Sequence, residues 1–151
     1  MKATDLLKKQ HKEVKALFKK IEKTEDAQGR RQLMEQITRA LQLHTRLEEE
    51  IFYPAVRGLG TRKAEEMVAE AFEEHHLVDL VLDDLPSVDP EDERFEAKMT
   101  VLSELIEHHV EEEEKEMFKL AERLGRDELE DLGEQMAARL DQGAAGGQRA
   151  A

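Results

Sequence analysis

The stretch His44-Thr-Arg-Leu-Glu48-Glu-Glu-Ile51-Phe-Tyr-Pro54 predicts a helix with two ionisable side chains on its inner face. Residues four apart lie on the same side of an α-helix, so the imidazole of His44 and the carboxylate of Glu48 project together. The residues that share their face are apolar and recur at helical spacing: Ile37, Leu41, Leu47 and Ile51. A buried carboxylate needs a partner charge, a hydrogen-bond network or a metal ion, because burying it alone is costly.

The same pattern occurs a second time, in His109-Val-Glu-Glu-Glu113-Glu, again on an apolar stripe. Each pair follows a helix with a single histidine in the middle of its apolar stripe, His11 in the first half of the chain and His75 in the second. The separation is 33 residues from His11 to His44 and 34 residues from His75 to His109. Short loops make consecutive helices antiparallel neighbours, so this weak internal repeat predicts that all six side chains meet near the middle of a bundle.

The composition is that of a helical bundle with heavily charged outer faces. Apolar and charged residues each make up 39% of the 151 residues, Trp is absent and there are three prolines. We therefore expect an all-α fold, an up-down-up-down four-helix bundle with an extra short C-terminal helix.

Helix ends can be placed from capping and breaking residues. Thr61 is the expected N-cap of the third helix, Asp89 that of the fourth, and Gly125 should end the fourth. Pro54 should kink or end the second helix, because it lacks a backbone donor. The predicted domain spans residues 1–141, with the metal-binding core over 1–124, a short helix over 127–141 and a disordered tail over 142–151.

Charge and cysteine content exclude several classes of function. A net charge of −13 and a pI near 4.9 argue against nucleic acid or an anionic membrane as the main partner, since both attract a basic surface. The absence of cysteine excludes disulfides, thiolate metal sites and cysteine nucleophiles. The sequence has no apolar run of about 18 residues to span a bilayer and no signal-peptide pattern. We expect a soluble cytoplasmic protein, either a monomer or a small homo-oligomer.

Four imidazoles and two carboxylates make up the candidate ligand set: His11, His44, Glu48, His75, His109 and Glu113. Nitrogen and oxygen donors without sulfur suit iron, manganese or zinc. Six protein ligands are too many for one tetrahedral zinc ion, and two matching halves suit two metal ions bridged by the carboxylates. A redox-active di-iron centre fits this set best.

The order His, His-x-x-x-Glu, His, His-x-x-x-Glu, with Ile51-Phe-Tyr-Pro54 after the first pair, resembles the hemerythrin-like HHE cation-binding domains over roughly residues 1–124. The resemblance implies a non-haem di-iron centre, in which two iron ions are bridged by two carboxylates and an oxo or hydroxo group. It makes the four histidines terminal ligands and Glu48 and Glu113 the bridges. The implied partner is a small oxygen-containing molecule: O2, H2O2 or NO.

Two positions differ from the oxygen-carrying members of that family. The carriers have a second histidine four residues after the third-helix ligand, where this chain has Asp79. They also place the last carboxylate five residues after its histidine, which would select Glu114 rather than Glu113 as the bridge. Fewer imidazoles and more oxygen donors stabilise ferric iron. We therefore expect sensing or consumption of the ligand rather than reversible carriage, with peroxide breakdown as the activity if the protein is an enzyme.

Other interpretations stay open at this stage. His76 and His108 flank the chosen histidines and fit surface positions, or hydrogen bonds to a ligand, better than metal coordination. Asp79 could be a seventh ligand, and Tyr53 could donate its phenol to a bound oxygen species. A helical interaction module with buried His/Glu ion pairs would need no metal, and a mononuclear or other divalent-metal protein would need no redox chemistry.

Overall fold

The structure, a computed structural model, describes the backbone of residues 1–150 and the side chains of residues 1–143. Within this range the chain is helical and forms no β-strand, so the all-α prediction is confirmed. In the same range, no helix has both the length and the apolar character needed to cross a membrane. The α-helices are α1 (Ala3–Glu22), α2 (Ala27–Leu47), α3 (Tyr53–Arg57), α4 (Arg62–Asp84), α5 (Glu93–Glu112), α6 (Phe118–Ala121) and α7 (Arg126–Ala150).

Capping side chains set where the helices begin. The hydroxyl of Thr61 accepts a backbone hydrogen bond from the first turn of α4, as predicted. The predicted N-cap of α5, Asp89, lies three residues before the observed one. Asp92, rather than Asp89, is its N-cap and accepts a bond from the first turn, whereas Asp89 accepts one within the preceding loop.

Two of the long helical segments contain a π-helical turn that begins at a buried glutamate. The first π turn, Glu48–Phe52, joins α2 to α3, and the second π turn, Glu113–Met117, joins α5 to α6. In each, the backbone N–H five residues after the glutamate donates to the glutamate's carbonyl group, from Tyr53 in the first and Phe118 in the second. The wider turn therefore places a carboxylate and an aromatic side chain on the same side of the helix.

Pro54 does not end the second helical segment, and it cannot account for both π turns. The chain stays helical through α3, and Pro54 closely follows the first π turn. The second π turn has no proline in or next to it. What the two π turns share is the buried glutamate that begins each one, and π turns of this kind are frequent at functional sites.

The apolar core consists of two clusters, one on each side of a layer of buried polar residues. Along α1, His11 follows Leu7 of the first cluster and precedes Val14 of the second, and α4 has the same order around His75. Burying each large apolar side chain stabilises the fold by about 1.5–3 kcal/mol, which offsets the cost of burying the polar layer. The largest aromatic members are Phe52, Tyr53 and Phe118 in the first cluster and Phe18 and Phe95 in the second.

Helix α7 completes the first cluster by packing on α1 and on the end of α2. Its residues Leu129, Leu132 and Met136 are buried. A Cβ atom at Gly133 would lie 1.9 Å from the carbonyl oxygen of Met1, so α7 approaches the N-terminal backbone closely. The helix starts one residue before the predicted start and extends past the predicted end at residue 141. The predicted disordered tail, 142–151, overlaps the C-terminal end of α7; its side chains beyond residue 143 lie outside the described residues, and its disorder stays a prediction.

The remaining contacts pair the long helices in chain order. Helix α1 packs against α2, and α4 packs against α5, so each half of the sequence repeat forms one helix pair. Which direction each long helix takes in the bundle, the up-down-up-down order, stays a prediction.

Candidate metal centre

Four helices each bring one buried histidine to the middle of the bundle: His11 on α1, His44 on α2, His75 on α4 and His109 on α5. The histidines form two matched pairs. Nε2 of His11 lies 3.2 Å from Nε2 of His44, and Nε2 of His75 lies 3.2 Å from Nε2 of His109. In both pairs the ring centroids are 4.8 Å apart and the rings are inclined at 64°. The sequence repeat is therefore reproduced in the geometry of the site.

Two fully buried carboxylates link the histidine pairs. The distances from carboxylate oxygen to Nε2 are 3.3 Å for Glu48 to His44, 3.1 Å for Glu48 to His75, and 3.2 Å for Glu113 to both His11 and His109. Glu113 contacts one pair through Oε1 and the other through Oε2. Two ligand atoms at about 2.0–2.2 Å from one metal ion, at angles of about 90–110°, lie about 3.0–3.5 Å apart. The observed distances fall in that range.

The outer nitrogen of every histidine is held by an oxygen atom 2.7 Å away: Nδ1 of His11 by Glu114, of His44 by Gln10, of His75 by Glu49 and of His109 by Glu74. An ionised carboxylate or an amide oxygen only accepts hydrogen bonds, so each Nδ1 carries the proton and donates it. In the neutral imidazole, each inward Nε2 is then left with its lone pair. This is the arrangement found in metal-ligating histidines, whose second nitrogen is fixed by an outer acceptor.

The sequence analysis missed three of these outer acceptors, Gln10, Glu49 and Glu74. Each is the immediate sequence neighbour of a buried histidine or glutamate, and the repeat matches Gln10 with Glu74 and Glu49 with Glu114. That adjacency was a usable signal. It was hidden because 36 of the residues are acidic, so a glutamate beside a buried residue is common in this chain.

The structure also separates Glu113 from Glu114, which the sequence left as alternatives. The side chain of Glu113 is 2% exposed and lies between the histidine pairs. The side chain of Glu114 is 36% exposed and contacts His11 from the outside, at Nδ1. Glu113 is therefore the residue of the two whose carboxylate reaches the Nε2 atoms of both pairs.

The buried charges shift the pKa values of the cluster. Burial alone would raise the pKa of Glu48, but the positive charge of His44 and hydrogen bonds from its neighbours hold it well below the ordinary value of 4.5. Burial alone would lower the pKa of His109, but the charge of Glu113 and its hydrogen bond raise it well above the ordinary value of 6.5. Protons on the imidazoles therefore balance the carboxylates when no cation does.

Two carboxylate oxygens lack a hydrogen-bond partner. Among the described residues, the buried side-chain atoms in this state are Oε2 of Glu48 and Oε1 of Glu113. An unsatisfied buried acceptor costs about 1–3 kcal/mol, and more when it is charged. The buried residues that could hold a metal ion form two groups, His11 with His44, Glu48 and Glu113, and Glu48 with His75 and His109. The donor set and the two unpartnered oxygens therefore fit a pair of cations.

Tyr53 lies inside the cluster rather than only at a helix end. Its hydroxyl oxygen is 3.2 Å from Nε2 of both His75 and His109, and it donates a hydrogen bond to Oε2 of Glu113 at 2.5 Å. Burial, reinforced by the charges of Glu48 and Glu113, raises the pKa of Tyr53 well above its ordinary value, so the hydroxyl keeps its proton.

The remaining sequence candidates lie outside the buried cluster. His76 and Asp79 are exposed on α4, and neither belongs to the two buried groups of ligand candidates. The side chain of His108 is 64% exposed and contacts Glu74 and Glu112 on the outer surface.

A small cavity of about 10 Å³ borders the four histidines. Its other walls are apolar and include Val14, Leu41, Val78, Ile106 and Val110. This is about the volume that one water-sized molecule needs. The cavity therefore has room beside the imidazole rings for about one water-sized molecule, and none for a large substrate.

The fold and the site together define an all-helical protein with a buried cation-binding cluster of histidines and glutamates. Residues 2–121 match the family described as the hemerythrin HHE cation-binding domain. The chain belongs to this family.

Several individual proteins are similar to this chain. The crystal structure of a hemerythrin HHE cation-binding domain-containing protein from Mycobacterium kansasii, a homolog of Rv2633c, has a TM-score of 0.83 and 30% identity, covering 94% of this chain and 86% of that one. The uncharacterized protein Rv2633c of Mycobacterium tuberculosis is 29% identical over 94% of this chain and 87% of its own length. A DNA nickase of Nostoc is 26% identical over 78% of this chain, which spans 33% of that longer protein.

Proposed function

We propose that this chain is a non-haem di-iron protein that binds, and senses or consumes, a small oxygen-containing molecule: O2, H2O2 or NO. In this proposal the four long helices run up-down-up-down, the four histidines are terminal ligands, and Glu48 and Glu113 bridge the ions together with an oxo or hydroxo group. Two adjacent iron ions would supply both electron transfer and Lewis acidity within one site.

The orientation of the four imidazoles is the observation that carries the proposal. All four Nδ1 atoms are held from outside at 2.7 Å, and all four Nε2 atoms face two buried carboxylates that each have an unpartnered oxygen. A set of buried ion pairs would need no such uniform orientation. A mixed set of imidazole nitrogens and carboxylate oxygens, without thiolates, is one that iron accepts.

The surroundings of the cluster support a small ligand and a chemical role. The small apolar cavity beside the histidines has room for a molecule about the size of water. The hydroxyl of Tyr53 holds a proton within 3.2 Å of the Nε2 atoms of His75 and His109. A hydrogen-bond donor at this place suits the binding of a small oxygen-containing molecule.

Metal content and the ultraviolet–visible spectrum of the protein, purified aerobically after growth with iron, test the proposal. We expect two iron ions per chain and the charge-transfer bands of a bridged di-iron centre. A His44→Ala/His109→Ala variant should lose both, whereas His76→Ala, which changes an exposed imidazole, should keep both. Circular dichroism confirms that each variant is folded.

The same samples distinguish the alternatives. Gas evolved from added peroxide supports consumption of the ligand, and a stable oxygenated spectrum after reduction and exposure to air supports carriage or sensing. One metal ion per chain without redox-dependent bands would replace the proposal with a mononuclear or non-redox metal protein. A folded, colourless protein without stoichiometric metal would favour the helical interaction module with buried His/Glu ion pairs.

A further inference from the structure

A further group of potential metal-ligand residues, separate from the central cluster, lies on the outer surface of α4 and α5. It consists of Glu74, His108 and Glu112, and one potential ligand atom from each lies within 4.8 Å of the others. Nε2 of His108 is 3.2 Å from a carboxylate oxygen of Glu112, one helical turn further along α5, and 3.5 Å from Oε2 of Glu74 on α4. These distances are those expected between two ligands of one metal ion.

We propose that Glu74, His108 and Glu112 form a third cation site, which takes a divalent first-row transition metal ion such as Fe2+, Co2+ or Zn2+. One imidazole and two carboxylates make a mixed nitrogen and oxygen set, which those ions accept more readily than Mg2+ does. Three protein ligands leave room for water on the solvent side, because His108 is largely exposed.

The comparison between the two halves of the chain shows that the fold does not require these residues. Aligning the repeat on the buried histidines places Gln10 opposite Glu74, Leu43 opposite His108 and Leu47 opposite Glu112. In the first half this position is apolar: Leu47 is buried in the cluster that α7 completes, and Leu43 lies beside α7. Only the second half combines an uncovered surface with three chelating side chains.

A narrow acidic cleft connects this surface group with the buried cluster. The cleft, of about 20 Å³, is lined by Glu74 and Glu112 together with Glu70 and Glu116, and its buried walls include His109 and Glu113. The carboxylates of Glu70 and Glu116 add negative charge beside Glu74 and Glu112, which favours a cation at this end of the cleft.

Glu74 belongs to both groups of residues. Its Oε1 accepts the hydrogen bond from Nδ1 of His109, while its Oε2 faces His108. A cation at the third site is therefore separated from a histidine of the central cluster by a single carboxylate. The third site nevertheless uses none of the six residues of the central cluster, so it does not rest on the identity of the metal there.

Counting bound Co2+ tests the proposal. Full-length protein is dialysed to equilibrium against Co2+ with excess Mg2+ present, which occupies exposed carboxylates but not a site with imidazole. We expect wild type to bind one more Co2+ ion per chain than His108→Leu does. Leucine is chosen because Leu43 occupies the equivalent position in the first half of the repeat. Glu112→Leu should give the same loss, and His76→Leu, another exposed imidazole, should bind as wild type does.

The variants separate this site from the central one. The number of Co2+ ions that His108→Leu still binds gives the capacity of the central cluster. A central cluster that binds no metal is therefore distinguished from a third site that binds none. Glu74→Gln keeps an acceptor for His109, as Gln10 does for His44, and should lower Co2+ affinity at the third site at least tenfold. Equal Co2+ counts for wild type, His108→Leu and Glu112→Leu would overturn the proposal. So would ring NMR signals of His108 in wild type that do not shift when Zn2+ is added.

Discussion

Tyr53 and Phe118 occupy equivalent places in the two halves of the bundle, but only Tyr53 carries a hydroxyl group. Each follows the buried glutamate of its π turn by five residues. The hydroxyl of Tyr53 lies among His75, His109 and Glu113, whereas the ring of Phe118 lies parallel to that of His11 with centroids 6.0 Å apart. Two histidine pairs of matching geometry therefore have chemically different surroundings.

Removing the hydroxyl group in Tyr53→Phe should destabilise the metal-free protein by about 1–3 kcal/mol, because Oε2 of Glu113 loses a buried donor. The free energy of unfolding in urea measures this change. In a double-mutant cycle with Glu113→Gln, the two substitutions should be non-additive, since they remove the two partners of one contact. Additive effects would show that the hydroxyl acts through some other group.

Substituting His75 and its neighbour His76 gives a matched pair of variants. His75 is 2% exposed and faces Glu48, whereas His76 is exposed. His75→Ala removes one of the four inward nitrogens, so we expect metal affinity at that position to fall by at least tenfold and metal content per chain to drop. His76→Ala should keep the metal content of wild type. Metal analysis after dialysis makes the comparison, and equal content in the two variants would contradict the assignment of His75.

The helical spacing in the sequence was sufficient to place the buried histidines and glutamates. His44 and Glu48 are four apart on an apolar stripe, so burying that stripe places both side chains in the interior of a helical bundle. The repeat then placed His11 and His75 at the same depth. These positions could be predicted because hydrophobic burial constrains a whole helix face, so one register fixes every residue on it.

The π turns and the outer acceptors could not be predicted in the same way. A π turn depends on a balance between one backbone hydrogen-bond pattern and another, and only the first has a proline nearby. Glutamates such as Glu49 and Glu74 are common on protein surfaces, and only the folded structure shows that these two contact the histidines. The choice between Glu113 and Glu114 likewise depended on the orientation of the second π turn.

Glutamine substitutions at Glu113 and Glu114 distinguish the inner carboxylate from the outer one. Glu113→Gln removes a charge between the histidine pairs and should lower metal content severely. Glu114→Gln keeps an oxygen acceptor for Nδ1 of His11, the role that Gln10 already fills for His44, so its metal content should match wild type. Glu114→Ala leaves that nitrogen without its acceptor, and metal affinity should fall about 10–100-fold.

The outcome for Glu114→Gln is the informative one. A loss of metal as large as that in Glu113→Gln would mean that Glu114 supplies a charge that the ions need. Competition with a coloured chelator gives the affinities on one scale for all three variants.

The buried charges predict opposite pH responses for the metal-free and metal-loaded proteins. The pKa of Glu48 is lowered in the folded state, so its contribution to stability is present above about 4.5 and is lost as the pH falls through the lowered value. The pKa of His109 is raised, so its contribution is complete below about 6.5 and is lost as the pH rises through the raised value. Both contributions are complete only between about pH 4.5 and pH 6.5.

We therefore expect the metal-free protein to be most stable between about pH 4.5 and 6.5 and to lose stability above that window. Metal binding needs the Nε2 lone pairs, so protons compete with the ions and metal should be lost on acidification. Urea unfolding across this pH range, with and without metal, measures both trends. Metal-free His109→Ala should lose less stability above pH 6.5 than metal-free wild type does, because it lacks a histidine whose pKa is raised. Stability of the metal-free protein that rises steadily through neutral pH would show that imidazole protons do not balance the buried carboxylates.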